Sequence, residues 1–225
     1  MHPSSLLTAA RYQRQKKDSQ SEIAYRLLKE KIVRLEFPPA SLLNEAQLME
    51  ELKLGRTPIR EALQRLAFEN LVVILPRRGT IVADLNMSDF QKIFEIRLQL
   101  EPYAARLATV RATPDEIMAM EALFEDADDI LQQGDHHELI RLDHQAHAML
   151  AQAAHNEFLA EILDQLYTHI LRLWYVSLHK VSRLDEAIRE HRDIIAAVKA
   201  GDADLAARIM HQHITGFKQE FEAAL

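Results

Sequence analysis

The chain has 225 residues, 48% of them hydrophobic, enough for one large domain or two modest ones with a buried core. It contains no cysteine, which excludes disulfides and thiolate metal sites, and no run approaching the roughly 18 apolar residues that a membrane span requires. The net charge of −7 is unevenly placed: residues 1–85 hold 14 Lys+Arg against 10 Asp+Glu, a balance of +4, and residues 86–225 hold 13 against 24, a balance of −11. Ten of the eleven histidines fall in the second part. A basic N-terminal module joined to an acidic, histidine-rich module is the expectation. The first twenty residues lack the apolar centre of a signal peptide, so a cytoplasmic protein is expected.

Residues 1–20, rich in Ser, Gln, Arg and Lys without apolar periodicity, read as a mobile tail. A helix is expected over 21–35, with Ile23, Leu27, Ile32 and Leu35 apolar, before Pro38-Pro39 stops it. Asn44 reads as the N-cap of a short helix, with Gln47 three residues on, and Gly55 breaks that helix. Thr57 is expected to cap the next, with Pro58 in its first turn and Ile59, Leu63 and Leu66 on one face. Two β-prone runs, 71–75 and 80–83, flank Pro76-Arg77-Arg78-Gly79, a hairpin with a basic tip where Gly79 can supply a positive φ. Three helices and such a hairpin make a winged helix-turn-helix over residues 21–84. From 88 to 225 only helices are expected, over 88–110, 114–133, 137–153, 157–180, 185–199 and 203–223. Thr113-Pro114-Asp115-Glu116 opens one of them and Asn156 caps another, while Gly134 and Gly201 are breaks. The fold class is therefore mainly α: a winged helix-turn-helix followed by an antiparallel bundle of about six helices.

In a helix-turn-helix the first residues of the second helix reach the bases of a major groove, and a helix start offers free N–H groups to phosphate. Arg56, Thr57 and Arg60 occupy that end, and arginine can read guanine bidentately. Arg77 and Arg78, turned by Gly79, would contact phosphate or a minor groove. The plain alternative is a solvated helix start, and for Arg65 a surface or salt-bridged position is expected. The run Pro38-Pro39-Ala40-Ser41-Leu42-Leu43-Asn44-Glu45, the segment from Leu52 to Leu63 through Gly55-Arg56-Thr57-Pro58-Ile59-Arg60, and Pro76-Arg77-Arg78-Gly79 together resemble the GntR-type bacterial transcription regulators. That resemblance implies a double-stranded DNA operator as partner. Three positions depart from its pattern: Ala40 and Asn70 stand where glycine is usual, and Gly55 where a small hydroxyl residue is usual.

Asp143 and His147 lie four apart on one helix and share an apolar stripe with Ile140 and Leu150. His191 shares a stripe with Ile188, Ile195 and Val198, and His213 with Leu205, Ile209 and Phe217; His211 should face elsewhere. One carboxylate and three imidazoles directed inward are costly to leave unpaired. A divalent transition metal satisfies all four, and N/O ligands suit zinc (Zn²⁺), nickel (Ni²⁺), Co²⁺, Fe²⁺ or Mn²⁺. The alternative is separate core histidines, each hydrogen-bonded. Arg97 lies on the inward stripe of Phe90, Phe94 and Leu100, where it either pairs with Glu101 or binds the carboxylate of a small acid.

Glu95-Ile96-Arg97-Leu98-Gln99-Leu100-Glu101, Asp143-x3-His147, Glu190-His191 and Met210-x2-His213 resemble the FCD domain, the effector domain of the FadR branch of GntR regulators. The resemblance implies that Asp143, His147, His191 and His213 hold the metal, that Arg97 is effector-binding, and that the protein is a homodimeric repressor answering to a small carboxylic or sugar acid. Two other functions remain open from sequence. A metal-dependent hydrolytic enzyme could use such a site, although no general base accompanies it. A DNA-binding protein with an inert helical dimerisation core would be indifferent to metal and acids.

Overall fold

A computed structural model describes residues 19–177 and 183–224. The expected tail lies almost wholly outside the described residues, as do the last three positions of the helix expected over 157–180. Two compact units are present, one of residues up to Lys31 with Ala40–Ala83, the other of Ile32–Pro39 with the chain from Asp84 onward. Among the described residues no helix is long and apolar enough to cross a membrane.

The first unit opens with α1 (Gln20–Val33), which buries Ala24, Tyr25 and Leu28. It ends two residues earlier than the apolar pattern indicates, because Leu35 turns into the left-handed region (φ 61). Leu27, one of its apolar positions, is 38% exposed. The two-residue strand β1 (Leu42–Leu43) has no counterpart in the sequence reading. It precedes α2 (Glu45–Leu52), whose N-cap Asn44 accepts from the Ala46 and Gln47 amides. Helix α3 (Arg56–Phe68) buries Ile59, Leu63 and Leu66. Then β2 (Val72–Leu75) and β3 (Gly79–Val82) form the hairpin, paired antiparallel with Leu75 opposite Gly79, and β1 adds to the far edge of β3, giving the order β1-β3-β2. Buried Glu69 ties α3 to α1: the Tyr25 hydroxyl donates to it at 2.8 Å, Lys29 pairs with it, and Arg65 lies 3.5 Å above the Tyr25 ring while bonding Glu22. Arg65 is thus salt-bridged.

Ala40 and Asn70 both sit at positive φ, 61 and 58. Asparagine tolerates the left-handed region, but for alanine the crowded Cβ costs roughly 1–2 kcal/mol, against which glycine's greater freedom in the unfolded chain sets about 0.5–1 kcal/mol. Ala40→Gly is therefore expected to stabilise the first unit by about 1 kcal/mol, raising its thermal midpoint by a few degrees. An unchanged or lowered midpoint would mean that the turn carries no strain at this position.

From Met87 onward the only regular elements among the described residues of the second unit are helices: α4 (Met87–Arg111), α5 (Pro114–Ala122), α6 (Ala127–Gln133), α7 (His136–Ala153), α8 (Glu157–Ser177), α9 (Leu184–Ala200) and α10 (Ala203–Ala224). Thr113 and Glu116 form the reciprocal capping box at the start of α5, and Gly134 and Gly201 end α6 and α9 in the left-handed conformation. The helix expected over 114–133 is in fact α5 and α6. Between them the bonds tighten to three-residue spacing, Phe124 to Glu121 and Ala127 to Phe124, which turns Phe124 into the core. Trp174, Phe217 and Phe221 pack edge to face at the core centre.

Candidate functional site

Helix α3 starts one residue before the expected Thr57 cap. Gly55 is extended (φ −73, ψ 169), its carbonyl accepts the Ile59 amide, and no side chain caps the turn. Arg56 and Thr57 therefore lie inside the first turn, and Pro58 is the third helical residue, where no intrahelical N–H partner exists. Arg56 and Arg60, four apart, project from one exposed face. Arg60 Nε bonds Glu45 Oε2 at 2.9 Å, with the two side chains 59% and 34% exposed. Such a pair is worth at most about 1 kcal/mol, so a phosphate or base can displace Glu45. At the wing tip Arg77 and Arg78 are exposed, and the turn holds Arg77 at φ 62 and Gly79 at φ 100. A Cβ at Gly79 would also press on the Leu42 side chain at 3.3 Å, so glycine serves both the conformation and the approach of β1.

In the second unit Asp143, His147, His191 and His213 are all buried, and one ligand atom from each lies within 4.8 Å of the others. They come from α7, α9 and α10. His191 Nε2 stands 2.9 Å from Asp143 Oδ1, His213 Nε2 3.6 Å and His147 Nε2 3.8 Å, while the Nε2 atoms of His147 and His213 are 3.1 Å apart. His211, two residues from His213, is exposed, as its position on the helix requires, although Leu205 on the expected inward stripe is 37% exposed. Ligands about 2.1 Å from one ion stand about 3.0 Å apart at right angles and about 3.4 Å apart at the tetrahedral angle. The observed edges straddle those values.

The outer nitrogens explain why Nε2 faces inward. His213 Nδ1 meets Glu190 Oε2 at 2.8 Å, and His147 Nδ1 lies against Glu101 Oε2. At His213 the carboxylate favours the proton on Nδ1, the tautomer whose Nε2 can ligate, while at His147 the Glu101 carboxylate stands close to Nδ1 without the geometry of a hydrogen bond. The Nε2 atoms of His147 and His213, 3.1 Å apart beside an ionised carboxylate, are held together by a shared proton or by a cation. Burial opposes charge on Asp143, but the three imidazoles outweigh it and hold its pKa well below the usual range. Burial pushes His191 down to about 4, leaving it neutral. His213 is pushed down by burial and more strongly up by its bonds to Asp143 and Glu190, the mark of a potential that favours positive charge. The donor set fits a divalent transition metal.

Arg97 is buried, as its stripe requires, but its guanidinium is committed to Glu101 and lies 5.1 Å from the Tyr167 ring centroid. Burial raises the pKa of Glu101, and Arg97 with His147 overrides that to hold it low. Of the two partners sequence left open, the structure supplies Glu101. Tyr167, which sequence reasoning did not single out, donates its hydroxyl to Asp143 Oδ2. A cleft of about 310 Å³ reaches the cluster on this side, lined by Glu101, His147 and Tyr167 at its inner end and by His144, Gln152 and Glu161 further out. Arg97 is not in that lining.

Residues 20–82 match the family model of bacterial regulatory proteins, gntR family, and residues 92–216 match that of the FCD domain. The chain is 30% identical over 193 residues to an HTH-type transcriptional regulator, YdhC, of Bacillus subtilis, spanning 84% of this chain and 85% of the relative. It is 28% identical to the HTH-type transcriptional repressor RspR of Escherichia coli, over 84% of this chain and 83% of RspR. The solved structure of E. coli McbR/YncC superposes with a TM-score of 0.82 at 22% identity, covering 92% of this chain and 98% of that one, a likeness of fold. These relatives are regulators, and the hydrolase alternative falls with them. The chain belongs to the GntR family of bacterial regulatory proteins and carries its FCD domain, which makes it a DNA-binding transcription regulator and not an enzyme.

Proposed function

We propose that this regulator is a homodimeric repressor whose FCD domain holds one divalent transition metal on Asp143, His147, His191 and His213, and that a small carboxylic or sugar acid binding beside the metal releases it from its operator. The observation that carries this reading is the convergence of three Nε2 atoms and one carboxylate oxygen in a buried space, with carboxylates behind two of the imidazoles. When bound, the metal would supply a positive charge able to take an effector oxygen as a further ligand. The cleft ending at His147 and Tyr167 is the route by which such an acid would enter. Since Glu161 and Glu101 make that lining acidic, the attraction for a carboxylate has to come from the metal. Arg97 acts indirectly in this geometry, by fixing Glu101 and through it His147.

On the DNA side, Arg56, Thr57 and Arg60 read bases from the start of α3, and Arg77 and Arg78, turned by Gly79, position the wing on the backbone. Repression is supported by kinship: RspR, similar over most of its length, is a repressor by name. An acid shifts operator affinity only to the extent that it prefers one of two conformations.

The test is elemental analysis of purified protein followed by a thermal-shift panel of carboxylates and sugar acids, with and without chelator. About one transition metal per chain, and acids that raise the midpoint only in the metal-loaded protein, are expected. A metal-free protein that folds and responds fully would refute the metal reading. Indifference of operator binding to both metal and acids would instead favour the inert helical core.

A further inference from the structure

Helix α10 carries Gly216 one turn beyond His213, buried in the interior of a helix where glycine costs about 1 kcal/mol relative to alanine. The neighbouring geometry gives a reason for it. A Cβ built on Gly216 would fall 1.4 Å from Nη1 and 2.3 Å from Cζ of Arg183, the N-cap residue of α9. The guanidinium occupies the space a side chain would take. From there Arg183 Nη2 reaches Glu190 Oε1 at 2.6 Å, and the other oxygen of Glu190 meets His213 Nδ1 at 2.8 Å. The Arg183 guanidinium also stands 5.7 Å from the Phe217 ring centroid, and its backbone N–H donates to Glu220, so the residue is held to α10 on several sides.

We propose that Gly216 is a notch that seats the Arg183 guanidinium, and that Arg183 is a positioning residue: through Glu190 it sets the orientation and tautomer of His213. Glu190 lies on α9, beside His191, and its side chain keeps 18% exposure. Without a fixed partner on its far oxygen it can rotate towards water and leave His213 Nδ1 without an acceptor. The bidentate use of one carboxylate, one oxygen to guanidinium and one to imidazole, removes that freedom. Gly216 therefore contributes to the cluster through what it leaves vacant. The inference rests on the metal reading for one of its measurements and stands apart from it for the other.

Two variants and their combination test it. Alanine at Gly216 meets only the far end of a flexible side chain, so the helix tolerates it and gains propensity, while Arg183 must leave Glu190. Gly216→Ala is expected to raise the stability of chelator-treated protein while weakening binding of Zn²⁺ or Ni²⁺ by about 10–100-fold, the usual effect of losing an outer partner of a ligating histidine. Arg183→Ala should weaken metal binding by the same factor, and the double variant no further, since both remove one contact. The second measurement needs no metal. Imidazole nitrogen NMR of the chelated protein at alkaline pH should find the His213 proton pinned on Nδ1 in the wild type and shared between both nitrogens in either variant. Wild-type metal affinity and an unchanged tautomer in Gly216→Ala would overturn the proposal, as would additive losses in the double variant. A wild type that takes up no metal, with the tautomer shift intact, would sink the metal reading and leave the role of Arg183 standing.

Discussion

Replacing His213 by alanine is expected to lower affinity for a divalent transition metal by more than about 100-fold, because the loss of an outer partner alone costs 10–100-fold and here a ligand itself is removed. His213 Nε2 stands 3.1 Å from His147 Nε2 and 3.6 Å from Asp143 Oδ1, so its loss opens one side of the cluster. Metal present at about a thousand times its dissociation constant stabilises the folded chain by about 4 kcal/mol. In a chain of this size that corresponds to roughly 8–16 °C of thermal midpoint. The wild type should show that rise on adding Zn²⁺ or Ni²⁺, and His213→Ala should show little of it. His211→Ala, on the exposed face of the same helix, should respond as the wild type does. Equal responses from the two variants would mean that the inward face of α10 does not hold the metal.

The second large effect is expected at Arg60. If it reads a guanine bidentately, each copy contributes about 1–3 kcal/mol of discrimination. A dimer on a two-fold operator loses two such contacts. Arg60→Ala should then reduce operator affinity by between about 30-fold and 10⁴-fold. Binding to unrelated DNA should fall far less, by the loss of one charge per protomer. Far-ultraviolet circular dichroism and thermal midpoint should stay near wild type, because Arg60 is largely exposed and its pair with Glu45 is a surface one. Retained discrimination between operator and random duplex, measured by titration at fixed salt, would remove Arg60 from base readout.

Periodicity and punctuation carried most of this fold. The stripe of Ile188, His191, Ile195 and Val198 is buried at every position, because a helix wall against a core admits no other arrangement. The inward direction of Asp143, His147, His191 and His213 was legible for the same reason. What they bond to behind was not. Glu190 reaches His213 from the preceding helix, Arg183 reaches Glu190 from the N-cap of α9, and Tyr167 reaches Asp143 from α8, all set by tertiary packing that no spacing along one helix records. The division of 114–133 into two helices was hidden too, since neither glycine nor proline marks it. There the burial of Phe124, stacked 5.7 Å from His191, overrides helix propensity. The Thr57 cap failed by two residues because glycine is itself an acceptable N-cap, and Gly55 took the place.

The short strand Leu42–Leu43 has a mechanical consequence. It joins the chain leading into α2 to the outer edge of β3, with Leu42 opposite Ile81 and Leu43 opposite Thr80, and Val82 donates to Ser41 beyond it. A free hairpin would swing about its base and let Arg77 sample phosphates over a wide arc. Clamped on its third side, the hairpin behaves as one jaw of a caliper whose other jaw is α3. The gap between the arginines proposed to read bases and those proposed to grip the backbone is then a fixed length, which a duplex must match to engage both.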